Sequence, residues 1–316
     1  MSTVIAFVFL VILTVAISTW AHRAQDHPPL RLALYIVTAT IGAVTLLIGV
    51  TSAVVSFTGS RGEISLTSAL LVGVAAAIGL PLLRPVRLVL ARVMPFDPNS
   101  PADMIGLSVL LATAVFVGGS SLRAGADITT TSVDVFGLVS QAAALILMAF
   151  FGVGFLIQRD FRSTARRLGL TALQPKHVWI ALAVVIAVFA VTILGSLLTL
   201  AFQPGLEKQI NDNLGTMTRN LSSFSGALML GISAGFSEEI LFRGAIQPRY
   251  GIVFTSVVFA LLHVQYGFSF TIISIFMVSV ILGFLRKRIN TSASIITHVV
   301  YDVLAVLLSL SGGGGP

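Results

Sequence analysis

Residues 223–249 read SFSGALMLGISAGFSEEILFRGAIQPR. The stretch is apolar or small until Glu238 and Glu239 arrive side by side, and Arg243 follows four residues later. An ionisable group at membrane depth is costly, so it needs a partner or a water-filled cavity and is a functional-site hypothesis by default. Two adjacent carboxylates in such a place suggest acid–base chemistry.

Composition sets the surroundings of this stretch. The chain has 316 residues, of which 56% are hydrophobic and 10% charged, and its mean hydropathy is +1.00. Soluble domains carry roughly 25% charged residues, so the expected fold class is an all-α polytopic transmembrane bundle. Apolar runs of spanning length fall at about 3–20, 31–57, 65–83, 104–122, 134–157, 177–202, 223–249, 252–266, 268–285 and 291–310, which predicts about ten helices at ~20 residues per span. No basic residue precedes the first run, which favours a span over a cleavable leader. The chain has no cysteine, which excludes disulfides, iron–sulfur clusters and thiolate zinc sites. The net charge of +7 does not point to nucleic acid, because the basic residues sit in gaps between apolar runs and build no polar domain.

Those gaps carry an orientation signal. The first, third and fifth loops hold ten Lys and Arg, including Arg159, Arg162, Arg166, Arg167 and Lys176, against four in the second, fourth and sixth (Arg61, Arg123, Lys208 and Arg219). The expectation is a multi-pass protein of the cytoplasmic membrane with its odd loops in the cytoplasm and both termini outside. Ionisable residues inside apolar runs concentrate in the C-terminal half. The expected organisation is accessory helices over 1–157, a basic cytoplasmic loop over 158–176, a catalytic core over 177–310 and a disordered low-complexity tail over 311–316.

Within the core the spacing is informative. Glu239 and Arg243 share a helix face and can pair, whereas Glu238 lies ~100° round the helix and is freer to hold a water. His263 follows in FALLHVQYG, four residues after Phe259, and His298 and Asp302 are four apart in SIITHVVYDVLAV. A carboxylate at that spacing can orient the imidazole or share its proton. The QPRYG turn signal at 247–251 places Glu238 and His263 level, ~18–20 Å from the turn, and His298 ~15 Å from the basic turn at Arg288. Three separate segments thus bring a Glu and two His to similar depth.

These residues carry a resemblance. EE-x-x-x-R (Glu238, Glu239, Arg243), F-x-x-x-H (Phe259, His263) and H-x-x-x-D (His298, Asp302) in this order resemble the CAAX-protease and bacteriocin-processing (Abi) family of intramembrane peptidases, which includes the Ras-converting prenyl-protein endopeptidases. The resemblance covers roughly 175–310. It implies an intramembrane endopeptidase, a hydrolase in which Glu238 and His263 activate a water, His298 and Asp302 stabilise the oxyanion, Glu239 is an auxiliary acid, and Arg243 and Phe259 are structural. Many members have Asn where this chain has Asp302. An ionised carboxylate would repel an oxyanion, so Asp302 is expected to be protonated or to orient His298. No cofactor is the favoured reading; zinc held by Glu238, His263 and His298 is the alternative. The implied partners are the lipid bilayer and a membrane-bound or lipidated peptide or protein. The site is expected in the cytoplasmic half of the membrane. The residues carry no signal of oligomeric state.

Three rival readings follow from the same residues. Gly231-Ile232-Ser233-Ala234-Gly235 matches G-x-S-x-G, but that motif needs a strand-to-helix elbow and here lies in a predicted helix. Buried Glu, His and Asp also serve proton-coupled transporters, although such proteins often show two similar halves. A non-catalytic membrane chaperone or immunity protein would not need a full acid–base set. H-E-x-x-H and P-loop motifs are absent.

Overall fold

The computed structural model describes residues 2–59, 63–123, 134–221 and 223–311. Arg61 and the tail beyond Ser311 lie outside the described residues. The described chain is all-α, with one isolated bridge, Phe155 to Arg159, as its sole β feature.

Local chemistry sets the helix ends. Pro stands in the first turn of α2 (Pro28–Thr58), α4 (Arg84–Leu90), α8 (Pro175–Phe202) and α9 (Pro204–Thr218), where its missing N–H costs nothing. Side chains cap other starts. Ser65 accepts from Ser68 N before α3 (Leu66–Gly79), Asp134 from Gly137 N before α6 (Val135–Gly152), and Asp160 from Ser163 N before α7 (Phe161–Arg167). Ser223 caps α10 (Phe224–Glu239) in the same way. The remaining helices are α1 (Ser2–Arg23), α5 (Pro101–Arg123), α11 (Gln247–Leu261), α12 (Phe270–Arg288) and α13 (Thr291–Ser311).

Among the described residues six helices are long and apolar enough to cross a membrane, or seven if the 86° bend between the α3 region and α4 joins two parts of one span. The expected all-α polytopic bundle is observed, with somewhat more helices than the ten or so read from hydropathy because several are short. The stretch expected as one helix over 223–249 changes form after Glu239, where Ile240–Ile246 is a π-helix, and the next run stops at Leu261 rather than at 266. Within α11 the backbone kinks at Gly251, whose φ of 83° suits glycine. Two surface helices were not anticipated. α7 sits inside the basic loop. α9 is amphipathic, burying Glu207, Ile210 and Asn213 and exposing Lys208, Asn211 and Asp212.

α2 packs on α3, and α3 on α5; α8, α12 and α13 pack on one another; α10 lies on α13 and α6; α11 lies on α12 and α5. The faces left over are apolar, for example Ile36, Ile41, Leu47 and Val55 on α2 and Trp179, Ile186 and Ile193 on α8. Such faces suit lipid, where helices associate through close packing and polar contacts rather than burial from water. A core of Phe96, Leu107, Phe242, Tyr250, Val258 and Phe259 ties α5 to the π segment and α11. The first, third and fifth loops meet at one end of the bundle. His22 reaches Gly152 O, Arg249 Nε lies 3.2 Å from Asp103 Oδ1, and the Tyr250 hydroxyl donates to Asp103 O at 2.8 Å.

Candidate active site

Two helices are fixed in rotation before any charge is considered. Gly231 and Gly235 let α10 lie against the α13 backbone; a Cβ at Gly235 would stand 2.8 Å from Val299 N, and one at Gly231 would stand 3.0 Å from Val299 O. α13 is pinned by three buried hydroxyls on neighbouring carbonyls. Thr291 donates to Leu168 O at 2.6 Å, Ser294 to Leu282 O at 3.0 Å, and Thr297 to Ala181 O at 2.8 Å. This register aims His298 at the end of α10.

There, His298 Nδ1 lies 2.8 Å from Glu239 Oε1. A carboxylate oxygen accepts, so the imidazole donates. The same Oε1 lies 3.0 Å from Arg243 Nη1, and Glu239 and Arg243 are wholly buried. That ion contact lacks hydrogen-bond alignment; Arg243 bonds instead through Nη2 to Ser279 Oγ at 3.1 Å. On the other side of the imidazole, Nε2 is 3.5 Å from Asp302 Oδ2, too long to be a firm hydrogen bond.

Arg243 occupies the π-helix that begins directly after Glu239. Single π turns within helices are rare and gather at functional sites. Here the segment presents Arg243 and Phe242 to Phe259 of α11. The Phe259 ring is the hub of the site. It carries the Arg243 guanidinium at 4.6 Å, meets Phe242 edge-on at 4.9 Å, and has the rings of His263 and His298 at 4.5 and 6.3 Å. A desolvated cation over an aromatic face gains about 2 kcal/mol.

His263 does not lie within a helix as expected. It stands just past α11, before the 3-10 turn Val264–Tyr266. Its Nδ1 is 2.7 Å from Phe259 O, and because a carbonyl only accepts, Nδ1 holds the proton and the neutral ring presents a bare Nε2. Glu238 is half-buried, with no hydrogen bond or ion pair among the described residues, and lies within electrostatic reach of His298, Glu239 and Arg243. The structure thus gathers Glu238, Glu239, Arg243, Phe259, His263, His298 and Asp302 around one ring and one imidazole. The QPRYG segment carries a kink at Gly251, as a turn signal would, while α10 packs chiefly on α13 and α6, and the site forms where the π segment meets the end of α11 and α13.

Among the described residues no three His, Asp or Glu side chains form a group that could hold a metal. Each imidazole spends Nδ1 on a protein acceptor and keeps Nε2 for another partner, which is also how a zinc-ligating histidine is oriented. Sequence reasoning missed Ser279, which holds Arg243, and Tyr266, whose ring lies 6.3 Å from that of His263. A serine in an apolar helix gives no signal of its partner.

Residues 220–304 match the family model described as Rce1-like, type II CAAX prenyl endopeptidase Rce1-like. Every residue of the three motifs falls inside that segment. The resemblance stated from the motifs therefore stands for this part of the chain, and with the membrane-length helices it supports a multi-pass membrane protease. No curated protein and no solved structure matches the chain.

Proposed function

We propose that the segment similar to type II CAAX prenyl endopeptidases hydrolyses peptide bonds of membrane-bound or lipidated peptides, with Glu238 as the base. The observation that supports this reading most is the division of labour between neighbouring carboxylates. Glu239 is held by Arg243 and His298, and Glu238 is left unpaired beside them.

In this reading a water lies between Glu238 and the bare Nε2 of His263. Glu238 takes one water proton as the oxygen adds to the carbonyl carbon of the scissile bond. His298, held between the Glu239 and Asp302 carboxylates, acts as the imidazolium, with Nδ1–H on Glu239 and a second hydrogen on Nε2. Charge that collects on the carbonyl oxygen is met by that Nε2–H, which the long contact to Asp302 does not hold fast. Glu238 then gives its proton to the amide nitrogen. The C–N bond breaks, leaving a carboxylic acid on one product and an amine on the other, and the acid passes its remaining proton to that amine or to water. Asp302 and Glu239 orient His298 from either side. No step passes through a metal. The site faces the cytoplasmic half of the bilayer, as the basic loops predict, and helices α1 to α6 are accessory.

The test is cleavage of a lipidated reporter peptide by the full chain in proteoliposomes. Glu238→Gln is expected to lower the rate by about 10²–10⁴-fold with an unchanged melting midpoint, and a chelator is expected to leave the wild-type rate unaltered. A variant that cleaves at near-normal rate removes Glu238 from the role of base.

A further inference from the structure

The basic end of the bundle carries more than an orientation signal. Arg159 donates to Val153 O, Arg249 to Gly152 O at 3.0 Å, and Arg167 to Gly244 O at 3.3 Å. The three are thus anchored to the ends of α6 and the π segment. Arg286 is brought to the same place by the end of α12: Gly283, three residues before it, accepts from Gln247 Nε2 at 2.9 Å, and Thr291, five after it, bonds Leu168 O next to Arg167. Its Nε is buried with no hydrogen-bond partner among the described residues. Charge from Arg249, Arg159 and Arg286 all acts on Arg167. The carboxylate that acts on it, Asp103, is already engaged by Arg249 Nε and by the Asp97 N–H.

Burial first, and then these three guanidinium groups, push the Arg167 side chain down to about 10. Topology does not require this crowding. Arg162, Arg166, Lys287 and Arg288 are exposed at the same end and satisfy the orientation rule without desolvation. Half-burying like charges together is unfavourable unless something negative sits among them.

We propose that Arg159, Arg167, Arg249 and Arg286 form a binding site for a phosphate group. Guanidinium groups suit this ligand, because each offers a rigid fork of donors to two phosphate oxygens. At the end of a membrane bundle the phosphate comes either from an anionic phospholipid headgroup or from solution. The site is separate from Glu238 and His263, and it stands whether or not the chain is a peptidase.

The experiment compares the full-length wild type with Arg286→Gln, Arg286→Lys and the exposed control Lys287→Gln. Melting is followed in neutral detergent with inorganic phosphate against chloride at matched ionic strength, and in nanodiscs of phosphatidylcholine with or without phosphatidylglycerol. The wild type and Lys287→Gln are expected to gain several degrees, and both Arg286 variants to lose that gain. Arg286→Lys keeps the charge and so reads the loss of the fork even if the Gln variant folds poorly. Protection by phosphatidylglycerol alone assigns the site to the lipid headgroup; protection by both assigns it to phosphate in general. No protection by either, or equal loss in Lys287→Gln and the Arg286 variants, overturns the site.

Discussion

The α2–α3 joint and the α10–α13 joint are made in the same way and carry different cargo. In each, glycine lets two apolar helices come within touching distance. A Cβ at Gly49 would stand 3.0 Å from Leu71 and Val72, much as one at Gly235 would strike Val299. The first joint holds only hydroxyls. Ser68 donates to Ser52 at 2.9 Å and meets Ser65 at 2.6 Å. The second leads into a carboxylate, a guanidinium and an imidazole, with Glu239 and Arg243 wholly out of contact with solvent. Serines and glycines suffice to join helices in lipid. A buried ion pair adds little net stability over an apolar pair of the same shape. The difference teaches that the charged joint goes beyond what joining two helices requires, and it stands next to the unpaired carboxylate to which we assign the chemistry.

That contrast can be broken most forcefully at Arg243. Arg243→Ala leaves the Glu239 carboxylate buried beside an empty ring face and removes the bond to Ser279. Breaking one partner out of a buried pair costs about 3–5 kcal/mol, so the expected outcome is a large fall in folded yield and melting midpoint, read by fluorescence-detected size exclusion. Arg243→Met keeps volume but not charge, and is expected to fold better if Glu239 is also changed to Gln. If the single Ala variant melts like the wild type, the charged joint is not a structural commitment and the comparison fails.

A smaller effect sharpens the other side. Gly49→Val overpacks the α2–α3 joint, which costs about 1–3 kcal/mol. Cleavage by whatever fraction folds is expected to proceed at the wild-type rate per folded molecule, because among the described residues the hydrogen bonds, ion pairs and ring contacts of the site involve neither α2 nor α3. A matching loss of specific activity would make the N-terminal helices part of the chemistry rather than accessory to it.

Much of this contrast was readable in advance, for a definite reason. Helical spacing fixes what is near within one element. Glu239 to Arg243, Phe259 to His263 and His298 to Asp302 are all four apart, and all three pairs are in contact. Hydropathy likewise gave an all-α membrane bundle. Spacing says nothing of how helices rotate against one another. The Glu239–His298 bond spans 59 residues, and the role of Phe259 as the meeting point of four side chains depends on the joint register of the π segment, α11 and α13. The π-helix itself left no mark, since Ile240–Ile246 is as apolar as its surroundings. Helix breaks were missed because hydropathy continues past points where the backbone changes form, at Glu239 and Leu261.

The smallest expected effect tests the rival chemistry. Ser233 lies between the two glycines of the α10–α13 joint, in a pattern that also spells a hydrolase elbow. The joint explains the glycines without it, since both face α13. Ser233 donates to Met229 O at 2.6 Å and approaches Leu230 O at 3.1 Å, carbonyls of its own helix one turn back, and the backbone there is helical throughout. A nucleophile needs a base within hydrogen-bond reach, and no such bond from Ser233 to an imidazole or carboxylate is seen among the described residues. Ser233→Ala removes only a local bond that helices make and lose at little cost. Cleavage is expected to stay within about two-fold and stability within about 0.5 kcal/mol, measured on the same lipidated reporter. Loss of cleavage in a folded Ser233→Ala protein would move the chemistry from Glu238 to the hydroxyl, and the unpaired carboxylate would then need another explanation.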